Sequence, residues 1–166
     1  VDAMGHLSGY LDISIEDFNS KAIETNEKIK KLFGKSLKLR QVSAGGCNGC
    51  EMELNACSNV NFDMGRFGID FVASPRHADV LLVTGAVTHN MAGAARKTYE
   101  AMPSPKFVVA VGDDACDGGI FRGTYAVLGG ADQLLPVDLK IEGNPPAPKE
   151  ILAGLLALMK QAGKSR

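Results

Sequence analysis

Asp79-Val80-Leu81-Leu82-Val83-Thr84-Gly85 is a nearly unbroken apolar run closed by a glycine. A run with no polar face to offer water marks a strand covered on both sides, as in parallel sheets. Lys106-Phe107-Val108-Val109-Ala110-Val111-Gly112 repeats the pattern downstream, and Leu37 to Val42 is strand-like upstream. Shorter strands are expected at Ile69 to Ala73 and at Leu134 to Val137. Helix-like stretches fall between them: one capped by Asn48 or a neighbour and running through Met52, Leu54, Ala56 and Cys57, and one from Thr88 to Met102 stopped by Pro103. After Asn144-Pro145-Pro146-Ala147-Pro148, Lys149 to Ala162 reads as a closing helix. Strands alternating with helices predict an α/β fold, a doubly wound, mostly parallel sheet of flavodoxin-like type. Ahead of it, Ser14-x-x-Asp17 resembles a capping box, and Ile15, Phe18, Ala22, Ile29 and Phe33 share one stripe of a helix that Gly34 can end. Residues 1–34 are thus expected to form an arm, packed on its own domain or laid on a partner, and residues 35–166 a single α/β domain.

Composition narrows the function classes. The chain has 166 residues, 45% hydrophobic and 22% charged, and a formal net charge of −1, the make-up of an ordinary globular domain. There is no basic run interleaved with aromatics, so no nucleic acid partner is expected. No apolar stretch approaches the roughly 20 residues that span a bilayer, and the start of the chain lacks the basic-then-apolar order of a signal peptide. The expectation is a cytoplasmic protein whose cysteines are reduced or metal-bound.

The chemistry concentrates in Ala44-Gly45-Gly46-Cys47-Asn48-Gly49-Cys50-Glu51-Met52-Glu53, where a Cys-x-x-Cys sits between a strand and a helix. The spacing lets both sulfurs face one metal centre, and a helix N-terminus favours thiolate. The glycines allow the backbone to pass close to a bulky ligand. Alone, the motif fits a redox dithiol, half a zinc site, half an iron–sulfur site, or two inert thiols. In doubly wound sheets ligands gather outside the carboxyl ends of the strands. That rule selects four loops: Gly45 to Cys50, Gly85 to Thr88, Gly112 to Gly119 and Gly143 to Pro146. The third contains Cys116, which brings a third cysteine to the same edge, whereas Cys57, among apolar neighbours, reads as core.

Several ordered motifs then carry a resemblance. Gly46-Cys47-Asn48-Gly49-Cys50-Glu51-Met52-Glu53, Arg66-Phe67-Gly68-Ile69, Ala73-Ser74-Pro75-Arg76-His77-Ala78-Asp79, Thr84-Gly85-Ala86-Val87-Thr88, Gly118-Gly119, Pro136-Val137-Asp138 and Gly143-x-Pro145-Pro146 occur in family order. From about Leu37 to Met159 the chain resembles the small, 20 kDa-type iron–sulfur subunit shared by respiratory complex I and the membrane-bound nickel–iron hydrogenases. The resemblance implies an electron-transfer subunit of an oxidoreductase complex, not an enzyme alone, peripheral on the cytoplasmic side of the cytoplasmic membrane. It implies as partners a large hydrogenase-like or 49 kDa-type subunit, a ferredoxin-like iron–sulfur subunit, membrane-arm subunits and a quinone. It also implies a 4Fe-4S cluster, held in the family by the Cys-x-x-Cys pair, a third cysteine after the central strand and a fourth in a Gly-Cys-Pro-Pro turn.

Here the family's ligand pattern is incomplete. Cys47 and Cys50 carry over, the third position falls on Asp114 with Cys116 two residues beyond, and the fourth is Asn144. Three outcomes are open: a cluster of atypical ligation on Cys47, Cys50, Cys116 and Asp114; another metal, such as zinc on Cys47, Cys50 and Cys116; or an empty site in a redox-silent coupling subunit. Glu53 matches a family glutamate and is a candidate interface or proton-linked residue, with an exposed helix carboxylate as the plain alternative. Arg66 and Arg76 match family arginines and are expected either near the cluster or pinning loops. His77 and His89 have no ligand spacing and read as structural or solvent-facing.

Overall fold

The structure, a computed structural model, describes residues 36–162. The predicted N-terminal arm, with its helix from Ser14, lies outside the described residues. In chain order the elements are β1 (Leu37–Ser43), α1 (Gly49–Ala56), β2 (Ile69–Phe71), β3 (Val80–Thr84), β4 (Val87–Thr88), α2 (His89–Ala101), β5 (Phe107–Val111), α3 (Asp113–Asp117), β6 (Val127–Gly129), β7 (Leu139–Ile141) and α4 (Pro148–Ala162). Five strands form one parallel sheet in the order β2-β1-β3-β5-β7, and β4 and β6 make a small antiparallel pair.

The apolar run of β3 explains the two-layer core. Strand side chains alternate between faces. Val80 and Leu82 join Leu37, Leu39, Val109 and Val111 on the face covered by α1 and α4, through Leu54, Ile151 and Leu155. Leu81 and Val83 join Val42, Val108 and Ala110 on the other face, with Ala95 of α2 and Ala115 and Cys116 of α3. Each strand of this type has two apolar faces because helices cover both. Cys57 is fully buried in the first layer, as expected of a small core residue.

The strand expected at Leu134 to Val137 lies instead at Leu139–Ile141. Pro136 has no N–H to give a ladder, and Leu135 is buried in a turn that follows a 3-10 helix over Ala131–Gln133. Asp138 then docks the chain on β5: its carboxylate accepts the Val108 N–H at 2.7 Å and its own N–H donates to the Val108 carbonyl at 2.8 Å. Pairing with Val109–Val111 begins only after that clamp.

Candidate metal centre

In this strand order, the chain passes outward from β1 to β2 and then crosses to β3 on the other side of β1. The chain leaves β1 toward α1 on one face and β3 toward α2 on the other, and a crevice lies beyond these carboxyl ends, the usual ligand position in such sheets. The crevice here is lined by Gly46, Cys47, Gly49, Cys50 and Glu51 after β1, Gly85 after β3, Asp113 and Asp114 after β5, and Asn144 and Pro145 after β7. All four loops selected from the sequence contribute.

Glycines bring the loops together. Gly85 has φ +73°, and a Cβ there would collide with the Gly46 backbone, so β1 and β3 exits touch only because both are glycine. The Cys50 sulfur fills the place that a Cβ on Gly112, φ +91°, would need. Asn48, with φ 71°, makes the left-handed turn that starts α1, a conformation asparagine tolerates better than most residues. Cys47 precedes that turn and is exposed, while Cys50 sits in the first helical turn and is half-buried.

Sequence reasoning did not single out Glu51. The residue is 9% exposed and lines the crevice, and its carboxylate accepts the Thr84 hydroxyl at 2.7 Å and a hydrogen bond from Ser43. Burial pushes its pKa up, but the Thr84 and Ser43 bonds and its own backbone N–H outweigh that and hold it below the usual carboxylate value. The signal was present: Glu51, Leu54 and Cys57 fall on one i, i+3 stripe of α1, and all are buried.

Asp114 faces the crevice, one carboxylate oxygen lying against Gly119, where a side chain would collide. Its pKa is raised by burial and then by the charges of Asp113 and Asp117. Asn144 also lines the crevice and is exposed. Cys116 does not reach the crevice. The segment after β5 is helical rather than a free loop, and two residues along a helix is about 200° of rotation. With Asp114 toward the crevice, Cys116 points into the core, its thiol 3.8 Å from the Ala110 carbonyl and 3.7 Å from that of Ile141. Glu53, Arg66 and Arg76 are not among the lining residues. Arg66 pairs with Asp63 at 3.1 Å, Arg76 is exposed in a 3-10 turn over Pro75–His77, and Glu53 lies on α1 near Cys57. His77 and His89 are exposed.

Local charge favours a cation. Burial first, and then the charges of Glu51, Cys47, Asp114 and Asp113, push the Cys50 thiol up to about 11. Without a metal it is a neutral thiol at neutral pH, and a bound cation would displace its proton. Among the described residues, no three His, Cys, Asp or Glu side chains converge closely enough to hold one metal ion. Two thiols, three carboxylates and a carboxamide line the crevice from the ends of three strands. Cys47 and Cys50 are donors of the kind an iron–sulfur cluster takes. The thiols fit such a group at two corners, and the remaining two offer oxygen or nitrogen donors.

Residues 47–158 match the family described as NADH ubiquinone oxidoreductase, 20 Kd subunit. The chain belongs to this family. Formate hydrogenlyase subunit 7 of Escherichia coli is 45% identical over 134 residues, 79% of this chain and 52% of that protein. An NADH-quinone oxidoreductase subunit of Geotalea uraniireducens is 45% identical over 117 residues, 70% of this chain and 68% of that one. A chain in the structure of an archaeal membrane-bound sulfane sulfur reductase superposes with a TM-score of 0.72 at 32% identity, covering 86% of this chain and 78% of that chain. Relatives of this 20 kDa-subunit chain are thus subunits of oxidoreductases, and no helix among its described residues is long and apolar enough to cross a membrane.

Proposed function

We propose that this chain is a peripheral subunit of a membrane-associated oxidoreductase complex of hydrogenase or complex I type. It carries electrons through an iron–sulfur cluster at its contact with a large subunit. The observation that supports this best is the open ring of strand-end loops with Cys47 exposed at its mouth. A group bound there would be covered by this chain on one side only, so a second subunit would have to close it from water.

Cys47 and Cys50 would hold the group, with Asp114 as third donor and Asn144 at the fourth position. When bound, such a cluster supplies one-electron transfer, at a potential set by ligand type, hydrogen bonds and solvent. This chain's residues supply position and field. The Thr84 and Ser43 hydroxyls keep Glu51 ionised below the pair, and Asp113 and Asp114 add negative charge. Together they would make reduction harder, and a carboxylate corner is a harder donor than thiolate.

A second reading is favoured by Asp114 and Asn144 themselves: a redox-silent subunit that couples a catalytic subunit to membrane subunits. Iron and acid-labile sulfide content, with low-temperature paramagnetic resonance of the reduced complex purified without oxygen, separates the two. About four irons on this chain, with a signal that changes in Asp114→Ala and vanishes in Cys50→Ala, is the expected result. A complex whose other clusters are full while this chain holds no iron would leave the coupling role.

A further inference from the structure

The two corners that lack cysteine are preceded by residues that bond to each other. Asp113, directly before Asp114, accepts the Gly143 N–H on Oδ1 at 2.7 Å and donates its own N–H to the Gly143 carbonyl at 2.9 Å. Gly143, directly before Asn144, has φ +139°, and a side chain there would run into Pro146. One residue before Asp113, the Gly112 N–H donates to the Ile141 carbonyl at 2.8 Å, which continues the β5–β7 ladder up to the bridge. The loops after β5 and β7 therefore leave the sheet as one tied unit. The cysteine loop meets them by packing, the Cys50 sulfur on Gly112 and Gly49 beside the Pro145 ring, so close that a Cβ on Gly49 would be in van der Waals contact with it.

We propose that Asp113 is a positioning residue of the ring: its two-point bridge to Gly143 sets the separation of Asp114 and Asn144, and so the span that a bound cluster must fit. Asp113 lines the crevice, but its Oδ1 is taken by the Gly143 N–H, and it sets the ring through that bond rather than as a donor. The inference rests on the cluster reading above. The side-chain half of the bridge needs only an acceptor oxygen at that place, not a charge, and this separates positioning from electrostatics. An asparagine can keep the bond, while alanine leaves the Gly143 N–H without its acceptor.

The test uses the assembled complex purified without oxygen, with Asp113→Ala and Asp113→Asn in this chain. Asp113→Ser replaces alanine if that variant does not assemble. In Asp113→Ala, the Gly143 amide and the amide of residue 113 are expected to exchange at least tenfold faster while β3 and β5 amides stay slow. Iron retained on this chain falls by half or more, and the resonance line shape changes. Asp113→Asn stays close to the parent in all three. Unchanged exchange in Asp113→Ala overturns the bridge. Faster exchange with unchanged iron and line shape overturns the positioning role, as does Asp113→Asn failing as badly as alanine. A parent complex with no iron on this chain removes the cluster reading instead; the bridge is then upheld if Asp113→Ala loosens the amides of residues 113 and 143 together, and overturned if it does not.

Discussion

Cys50 is the residue on which the site's chemistry turns. Burial and the surrounding negative charges raise its thiol to about 11, so in the metal-free protein it is protonated through the neutral range. Its alkylation rate should climb about tenfold per pH unit from pH 7 toward 11, the thiolate being the nucleophile. Mass spectrometry of the modified peptide checks this, and a rate that levels off near pH 8.5 would contradict it. Thr84 has the complementary task of stabilising a buried charge. Replacing it by valine leaves the Glu51 carboxylate short of a partner and should cost about 1–3 kcal/mol in denaturant titration at pH 7. Because the folded pKa of Glu51 is lowered, its contribution is present above the unfolded value of 4.5 and is lost as pH falls through the folded value. The gap between parent and Thr84→Val should therefore close in acid. Individual residues were unevenly legible in the sequence. Cys47 and Cys50, picked out by spacing, line the crevice, whereas Cys116 does not, because a residue two places from Asp114 sits on the opposite side of a helix.

Among the elements, the buried strands were the most legible. β3 and β5 could be located within one residue because a continuous apolar run has few alternatives. β7 was displaced because its Leu-Lys-Ile pattern is short and half-exposed, and because Asp138 starts it by binding backbone rather than by hydrophobicity. The antiparallel β4–β6 pair, two and three residues long, left no periodic trace at all. The turn between β3 and β4 gives a direct test at this scale. Gly85→Ala imposes a left-handed conformation on a residue with a Cβ and drives that carbon into the Gly46 backbone. A loss of at least about 2 kcal/mol is expected, with α1 and the cysteine loop losing protection first in hydrogen exchange. A variant as stable as the parent would mean that the β1 and β3 exits do not need this contact.

At the scale of the whole molecule, apolar surface is left over. Ile120, Phe121, Tyr125 and Leu128 lie exposed on one segment between α3 and the end of β6, Tyr125 at 97%, and Met52 is exposed on α1, one residue beyond the crevice-lining Glu51. Clustered apolar residues of this kind mark contact surfaces more often than chance exposure. The chain produced alone should self-associate, and the pair Ile120→Ser and Tyr125→Ser should reduce its scattering without changing its circular dichroism. A parent chain that stays monodisperse at high concentration would count against this. Beneath that surface, the crevice draws its lining from four separate strand ends, and the exposed corners Cys47 and Asn144 belong to neither core layer. Shape and wiring are consequently separable in this molecule. Cys47 and Asn144 stand outside both core layers, so what the crevice can hold is decided by a few side chains at its rim, while the register of the strands is decided elsewhere.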